Sequence, residues 1–148
     1  MKLRINLVLS SINISKANAI TGSINLQVGE IYFPNKGWND FIVIVLTWWN
    51  TNFYTFIVGK DQIADFYFMD GNYKFRLKSN DNILNVQFYD SNDEVISIVE
   101  VSKDNFLNEL YKKSNDVVTT CQELGLKTQE VIELQESLLN LGELLLKQ

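Results

Sequence analysis

The side chains able to do chemistry in this 148-residue chain are few, and most are carboxylates. Histidine is absent, which removes the commonest general base, the usual metal-binding imidazole and the nucleophilic arrangements built on one. The single cysteine, Cys121, falls on the apolar side of a predicted helix. There a thiol packs as a small core residue with a raised pKa and does not attack as a thiolate. No Cys/His spacing suited to zinc and no glycine-rich phosphate loop occur. Two acidic groups remain: Asp61 with Asp65, and Asp90, Asp93 and Glu94 around a predicted turn. A carboxylate pair can supply a general acid and a base, so an enzyme using Asp61 and Asp65 is one reading. A calcium or magnesium loop needs several oxygens at defined spacing around a glycine, and that pattern is missing. Asp and Asn are also ordinary turn residues, so solvated turns explain both groups more simply. The expectation is therefore no metal, no cofactor and no catalysis. Asp61, Asp65, Asp90, Asp93 and Glu94 stand instead as candidate partner contacts.

Composition narrows the partner. The net charge is −5 and the pI near 4.7, which disfavours nucleic acid and anionic membrane, since both are held by clustered Lys and Arg. The nearest thing to a basic stripe, Lys74, Arg76 and Lys78, has the alternation of any solvated strand face. An acidic domain attracts a basic protein, chiefly by raising the association rate. Hydrophobic residues at 46% and charged residues at 21% predict a folded chain rather than a disordered one. The length suits one domain over 1–148. The lone thiol and the absence of a signal-like N-terminus lead us to expect a cytoplasmic protein. Phe41–Gly59 is an uncharged run of 19 residues, long enough to span a bilayer. Asn50 and Asn52 at its centre, with Thr47, Thr51 and Thr55, argue against a membrane span.

The elements that must position these groups change character once along the chain. Residues 1–101 are rich in β-branched and aromatic types, and the remainder in Leu, Glu, Gln and Lys. Leu3, Ile5, Leu7 and Leu9 alternate with other residues as in a strand, a polar stretch covers Asn13 to Gly22, and Ile24, Leu26 and Val28 mark a second strand. Residues 40–58 read as a buried helix entered through Asn39 or Asp40 and stopped by Gly59. Two strands around Asn50-Thr51-Asn52 are the alternative. Asp70-Gly71 suits a tight type I′ hairpin between Asp65–Met69 and Tyr73–Lys78. Ile83–Tyr89 and Val95–Val101 extend it into an antiparallel meander with one wet face. Helices are predicted at 103–125, with Phe106, Leu110, Val117, Cys121 and Leu124 inward, and at 129–147, with Val131, Leu134, Leu138, Leu141 and Leu145 inward. The fold class is thus α+β: an antiparallel sheet packed against a buried helix and two C-terminal helices.

Aromatic side chains are numerous, among them Trp38, Trp48, Trp49, Tyr54, Tyr67 and Tyr73. Most aromatics fill cores, but Trp and Tyr also anchor interfaces. Tyr32-Phe33-Pro34, Gly37-Trp38-Asn39-Asp40-Phe41, the apolar run into Leu46, Trp48 and Trp49, and Phe68-Met69-Asp70-Gly71-Asn72-Tyr73 together resemble a family of small bacterial proteins. That family comprises immunity proteins of polymorphic-toxin and contact-dependent inhibition systems. The resemblance covers about residues 28–78, and departs from the family's habit of a proline where this chain has Asn72. It implies a non-catalytic cytoplasmic protein that binds and neutralises a cognate toxin domain, commonly a basic nuclease. Trp38, Asp40 and Asp70 read as a cap, a contact at the start of the helix and a turn, without a binding role. The competing expectation is a structural or regulatory module that forms a homodimer through its C-terminal leucine helix.

Overall fold

A computed structural model describes residues 1–148. Eight strands and three helices follow one another as β1 (Leu3–Ile14), β2 (Ile20–Val28), β3 (Ile31–Phe33), β4 (Asn39–Asp40), α1 (Ile42–Val58), β5 (Ile63–Tyr67), β6 (Lys74–Asn80), β7 (Ile83–Tyr89), β8 (Val95–Ser102), α2 (Lys103–Glu123) and α3 (Gln129–Leu146). They form two antiparallel four-stranded sheets. In the first, β2 pairs with β1 on one side and with β3 and β4 on the other. The second is the expected meander, β5-β6-β7-β8. The fold class is α+β, with the C-terminal helices where the change in composition places them.

The apolar stretch 41–58 is one helix, and the two-strand alternative is excluded. Its start differs from expectation. Phe41 occupies the N-cap position without a side-chain hydrogen bond, while Asn39 and Asp40 form the short strand β4 beside β2. Asp40 serves another purpose. Only 1% exposed, its carboxylate accepts Trp38 Nε1–H at 2.9 Å, Phe41 N–H at 2.7 Å and Asp70 N–H at 3.1 and 3.2 Å. One buried acid therefore ties β4, the start of α1 and the β5–β6 turn together. Aromatic packing reinforces that joint: Phe33 meets Phe68, Tyr73 and Phe88, and Trp38 meets Tyr73 and Phe68.

Three further details differ from the sequence reading. The β5–β6 connection is wider than a two-residue turn: Phe68 N–H bonds Tyr73 C=O, and of Asp70 and Gly71 only Gly71 has positive φ, at 89°. Strand β2 begins at Ile20, inside the stretch read as polar loop, and β1 runs to Ile14 across a register break between Val8 and Asn13. Gly59 keeps a helical φ of −75°, and Lys60 takes the left-handed conformation in its place.

The helices cover the core side of both sheets. Helix α1 lies against β2, β5 and α3, and α2 lies against β1, β8 and α3. Ser102 caps α2 by accepting Asn105 N–H, and Gly125, with φ at 72°, ends it as expected. Phe106, Leu110, Val117 and Cys121 are buried, whereas Leu124 points outward. Along α3, Val131, Leu134, Leu138 and Leu141 are buried within the monomer, joined by Leu144, whereas Leu145, expected inward, is only half-buried against the core. The leucine stripe proposed as a dimer seam is thus occupied by the chain's own core. Between the helices, Asn50 Nδ2 donates to Ser114 Oγ at 2.9 Å and to Ser137 Oγ at 3.1 Å. Ser137 in turn donates to Leu134 C=O, so this buried polar cluster is internally bonded. Such a cluster favours one alignment of three otherwise greasy helices. No helix is long and apolar enough to cross a membrane.

Candidate partner-binding face

Strand alternation sends half of the second sheet's side chains into the core and half outward. Phe66, Phe75, Leu77, Leu84, Val86, Phe88, Val99 and Val101 point inward and are buried. The strand register builds rows across the opposite face: Asp65–Arg76–Gln87–Ile98, Tyr67–Lys74–Tyr89–Val95 and Ile63–Lys78–Asn85–Glu100. All three helices pack elsewhere, so this face stays uncovered. It retains Ile63, Tyr67, Met69, Ile83, Val95, Ile96 and Ile98 as exposed apolar side chains. Isolated exposed apolars are common on any surface. Seven lie on or bordering this one face, along its margins, on either side of a fixed charged centre.

The charged centre is well ordered by contacts. Arg76 grips Asp65 through Nε at 2.7 Å and a second guanidinium nitrogen at 3.0 Å. Lys74 Nζ lies 3.5 Å from Asp65 and 3.2 Å from Asp93. Beneath both cations is the Tyr89 ring, with Lys74 Nζ 4.7 Å and Arg76 Cζ 5.3 Å from its centroid. The Arg76 hydrogen bond, with help from Lys74, holds the Asp65 carboxyl below the usual range despite opposing desolvation. For Lys74, desolvation pulls the pKa down but is outweighed by the Asp93 hydrogen bond and the Asp65 and Asp93 charges, leaving it raised. Arg76 is likewise raised, first by its hydrogen bond to Asp65. All three shifts favour the charged forms, because each group faces the opposite charge.

Beside this centre an open hollow of about 520 Å³ runs between α1 and the β5–β6 turn. Trp48, Tyr67, Met69 and Tyr73 line it, with Lys74 and Asp93 at its charged end. Trp48 is 45% exposed and Tyr67 51%, while Trp49, its neighbour in sequence, is fully buried. The aromatics thus sort cleanly: Trp49 is core, Trp38 and Tyr73 brace the joint between the sheets, and Trp48 and Tyr67 face outward.

The acidic candidates divide in the same way. Asp65 and Asp93 meet at Lys74. Asp90 is folded into its own turn, where Oδ1 accepts Asn92 N–H and Glu94 N–H. Glu94 is exposed at that turn. Asp61 is not brought to Asp65. It lines a separate cleft of about 350 Å³ with Lys60, Asp81 and Lys103. Asp61 and Asp81 are both exposed there beside two lysines. No group of three or more Cys, Asp or Glu side chains could hold a metal ion. Burial first, and then the Glu130 charge, push the Cys121 thiol up. Sequence reasoning put Lys74, Arg76 and Lys78 on an exposed strand face, but did not separate the exposed Trp48 and Tyr67 from the buried Trp49. The alternation of β6 was visible, but not the neighbouring acids that turn it into an ion network. The chain matches no family model, no curated protein and no solved structure.

Proposed function

We propose that the chain is an immunity protein that binds and neutralises a bacterial toxin domain through the outer face of its second sheet. The observation that carries this reading is that face itself, a four-stranded surface left bare by every helix, with exposed apolar side chains along its margins and a bidentate Asp65–Arg76 pair between them. Charge distribution supports a basic partner. Residues 61–102, which build this sheet, hold eight acidic and three basic side chains, whereas residues 1–60 hold two and five. Long-range attraction would direct a basic toxin domain, such as a nuclease, to this sheet and not to the other. The resemblance of residues 28–78 to immunity proteins adds to the same reading. Three of the residues within it, Trp38, Asp40 and Asp70, are joined to one another by hydrogen bonds and serve as scaffold.

The test is rescue. Cells expressing a toxin domain encoded beside this chain should survive when the chain is co-expressed, and the purified pair should form a complex. Trp48→Ala and Tyr67→Ala should each weaken binding at least tenfold, as expected for central aromatic anchors, while leaving thermal stability within about 0.5 kcal/mol. Failure to rescue from every neighbouring toxin would refute the proposal.

A further inference from the structure

Two antiparallel sheets with open sides present free strand edges, and an unpaired edge is a template for another strand. In this fold the other edges are closed by identifiable devices. On β1, Asn105 of α2 accepts Leu3 N–H at 2.8 Å and donates to Leu3 C=O at 3.0 Å, and Glu109 accepts Ile5 N–H at 2.9 Å. Further along β1, the irregularity between Val8 and Asn13 breaks the ladder. On the far side of β2, β3 and β4 are three and two residues long, too short to template much. On β5, Asn52 of α1 donates to Asp65 C=O at 2.7 Å and Trp49 Nε1–H to Tyr67 C=O at 2.8 Å. Strand β8 has no such side-chain clasp. It ends its sheet, pairs only with β7, and no side chain bonds the backbone of Val95–Val101. A bulge disturbs its first residues, but from Ser97 to Ser102 the register is regular. It carries no proline and no lysine, the residues that commonly blunt an edge.

We infer that the β8 edge is a strand-addition site for an extended segment of a partner protein in which apolar and basic residues alternate. The charge around β8 selects this occupant. Glu94 and Glu100 flank the exposed Ile96 and Ile98, and Asp90 and Asp93 lie in the turn leading into the strand. Of the three cations on the sheet, Lys74 and Arg76 are already neutralised by Asp65 and Asp93, and Lys78, in the row of Glu100, is kept from it by the intervening strand residue Asn85. A second copy of this chain would bring the same acids against themselves. A strand with Lys or Arg at alternate positions would pair with them and lay its apolar residues beside Ile96 and Ile98, while its backbone satisfies the free edge. The inference deepens the toxin-binding reading, naming the contact by which such a partner would be held.

The probe is a capped ten-residue peptide alternating valine and lysine, titrated into the full chain and followed through backbone amide resonances. Shifts and slowed hydrogen exchange confined to Ser97–Val101 and their β7 neighbours are expected. N-methylation of alternate peptide residues, which blocks pairing without changing charge, should weaken binding at least tenfold. Glutamate in place of lysine should do the same. The double variant Glu94→Lys/Glu100→Lys, altered only at exposed positions, should lose at least threefold. Shifts elsewhere, or equal binding of the N-methylated peptide, would overturn the inference. So would protection of the same amides by concentration-dependent dimerisation alone, which assigns the edge to a second copy. A cognate toxin that binds the double variant unchanged removes the strand site and leaves the toxin reading intact. Peptide binding at β8 without rescue from any toxin leaves the strand site standing alone.

Discussion

Replacing Asp40 by alanine would remove the acceptor shared by three donors from three segments: Trp38 Nε1–H, Phe41 N–H and Asp70 N–H. At 1% exposure the site offers little access for water to take over. Each orphaned buried donor costs about 1–3 kcal/mol. Part of this is recovered as the Trp38 indole, half-buried, turns toward solvent. The net expectation is a loss of about 3–5 kcal/mol, or about 10–15 °C in Tm for a chain of this size. Asp40→Asn keeps one acceptor oxygen and turns the other into a donor facing donors, so about half that loss is expected. Trp38→Phe removes a single donor and should cost about 1 kcal/mol from the hydrogen bond. Urea unfolding followed by circular dichroism gives all three values, with tryptophan fluorescence reporting the joint directly in the Asp40 variants. If Asp40→Ala costs less than about 1 kcal/mol, or Asp40→Asn matches the wild type, then Asp40 does not hold the sheets together as described.

Other expectations follow from the same contacts. A double-mutant cycle of Asp65→Asn with Arg76→Gln should give a coupling of about 1 kcal/mol, reflecting a bidentate pair that is still partly solvated. Because the folded Asp65 pKa is lowered, the stability it contributes is fully present above its unfolded value near 4 and is lost as pH falls through the folded value. The difference between wild type and Asp65→Asn should therefore shrink in acid, and a gap that widens would contradict the assignment. Asn50→Ala should cost about 2–3 kcal/mol by stranding Ser114 in the helical core, against about 1 kcal/mol for Ser114→Ala, both read from thermal melts. Gly71→Ala should cost about 2–3 kcal/mol, since its φ is 89° and a new Cβ would lie 3.2 Å from Trp38. Gly125→Ala, with φ at 72° but open space around it, should cost only about 1 kcal/mol, the backbone cost alone.

The architecture was legible where one periodicity dominated. The alternation of Tyr73, Phe75 and Leu77 against Lys74, Arg76 and Lys78 placed β6 and its inward face, and the spacing of Val131, Leu134, Leu138 and Leu141 placed the buried side of α3. Caps were less legible because they depend on tertiary partners. Asp40 carries the chemistry of an N-cap, yet its oxygens are claimed by Trp38 and by Asp70, the latter thirty positions along the chain. Asp70-Gly71 has the composition of a two-residue hairpin, but the Asp40 contact and the Trp38 ring set a wider turn. The candidate face was legible only in parts. Asp65 and Asp93 were singled out for their charge, but their meeting at Lys74 is a matter of cross-strand register and of the β7–β8 turn. Asp61 was grouped with Asp65 through proximity in sequence, and the end of α1 turns it into a different cleft.

The clasp of Asn105 and Glu109 on β1 has a bearing on how the chain is made. The first strand emerges from the ribosome about a hundred residues before the helix that shields its margin. Until that helix arrives, Leu3 and Ile5 present open backbone to whatever is nearby, and nascent β-structure in that condition is prone to wrong pairing. Chains interrupted before Lys103 would carry two bare strand margins instead of one. They should therefore aggregate or engage chaperones far more readily than chains that include α2, the helix that acts as the lock on work begun at the first strand.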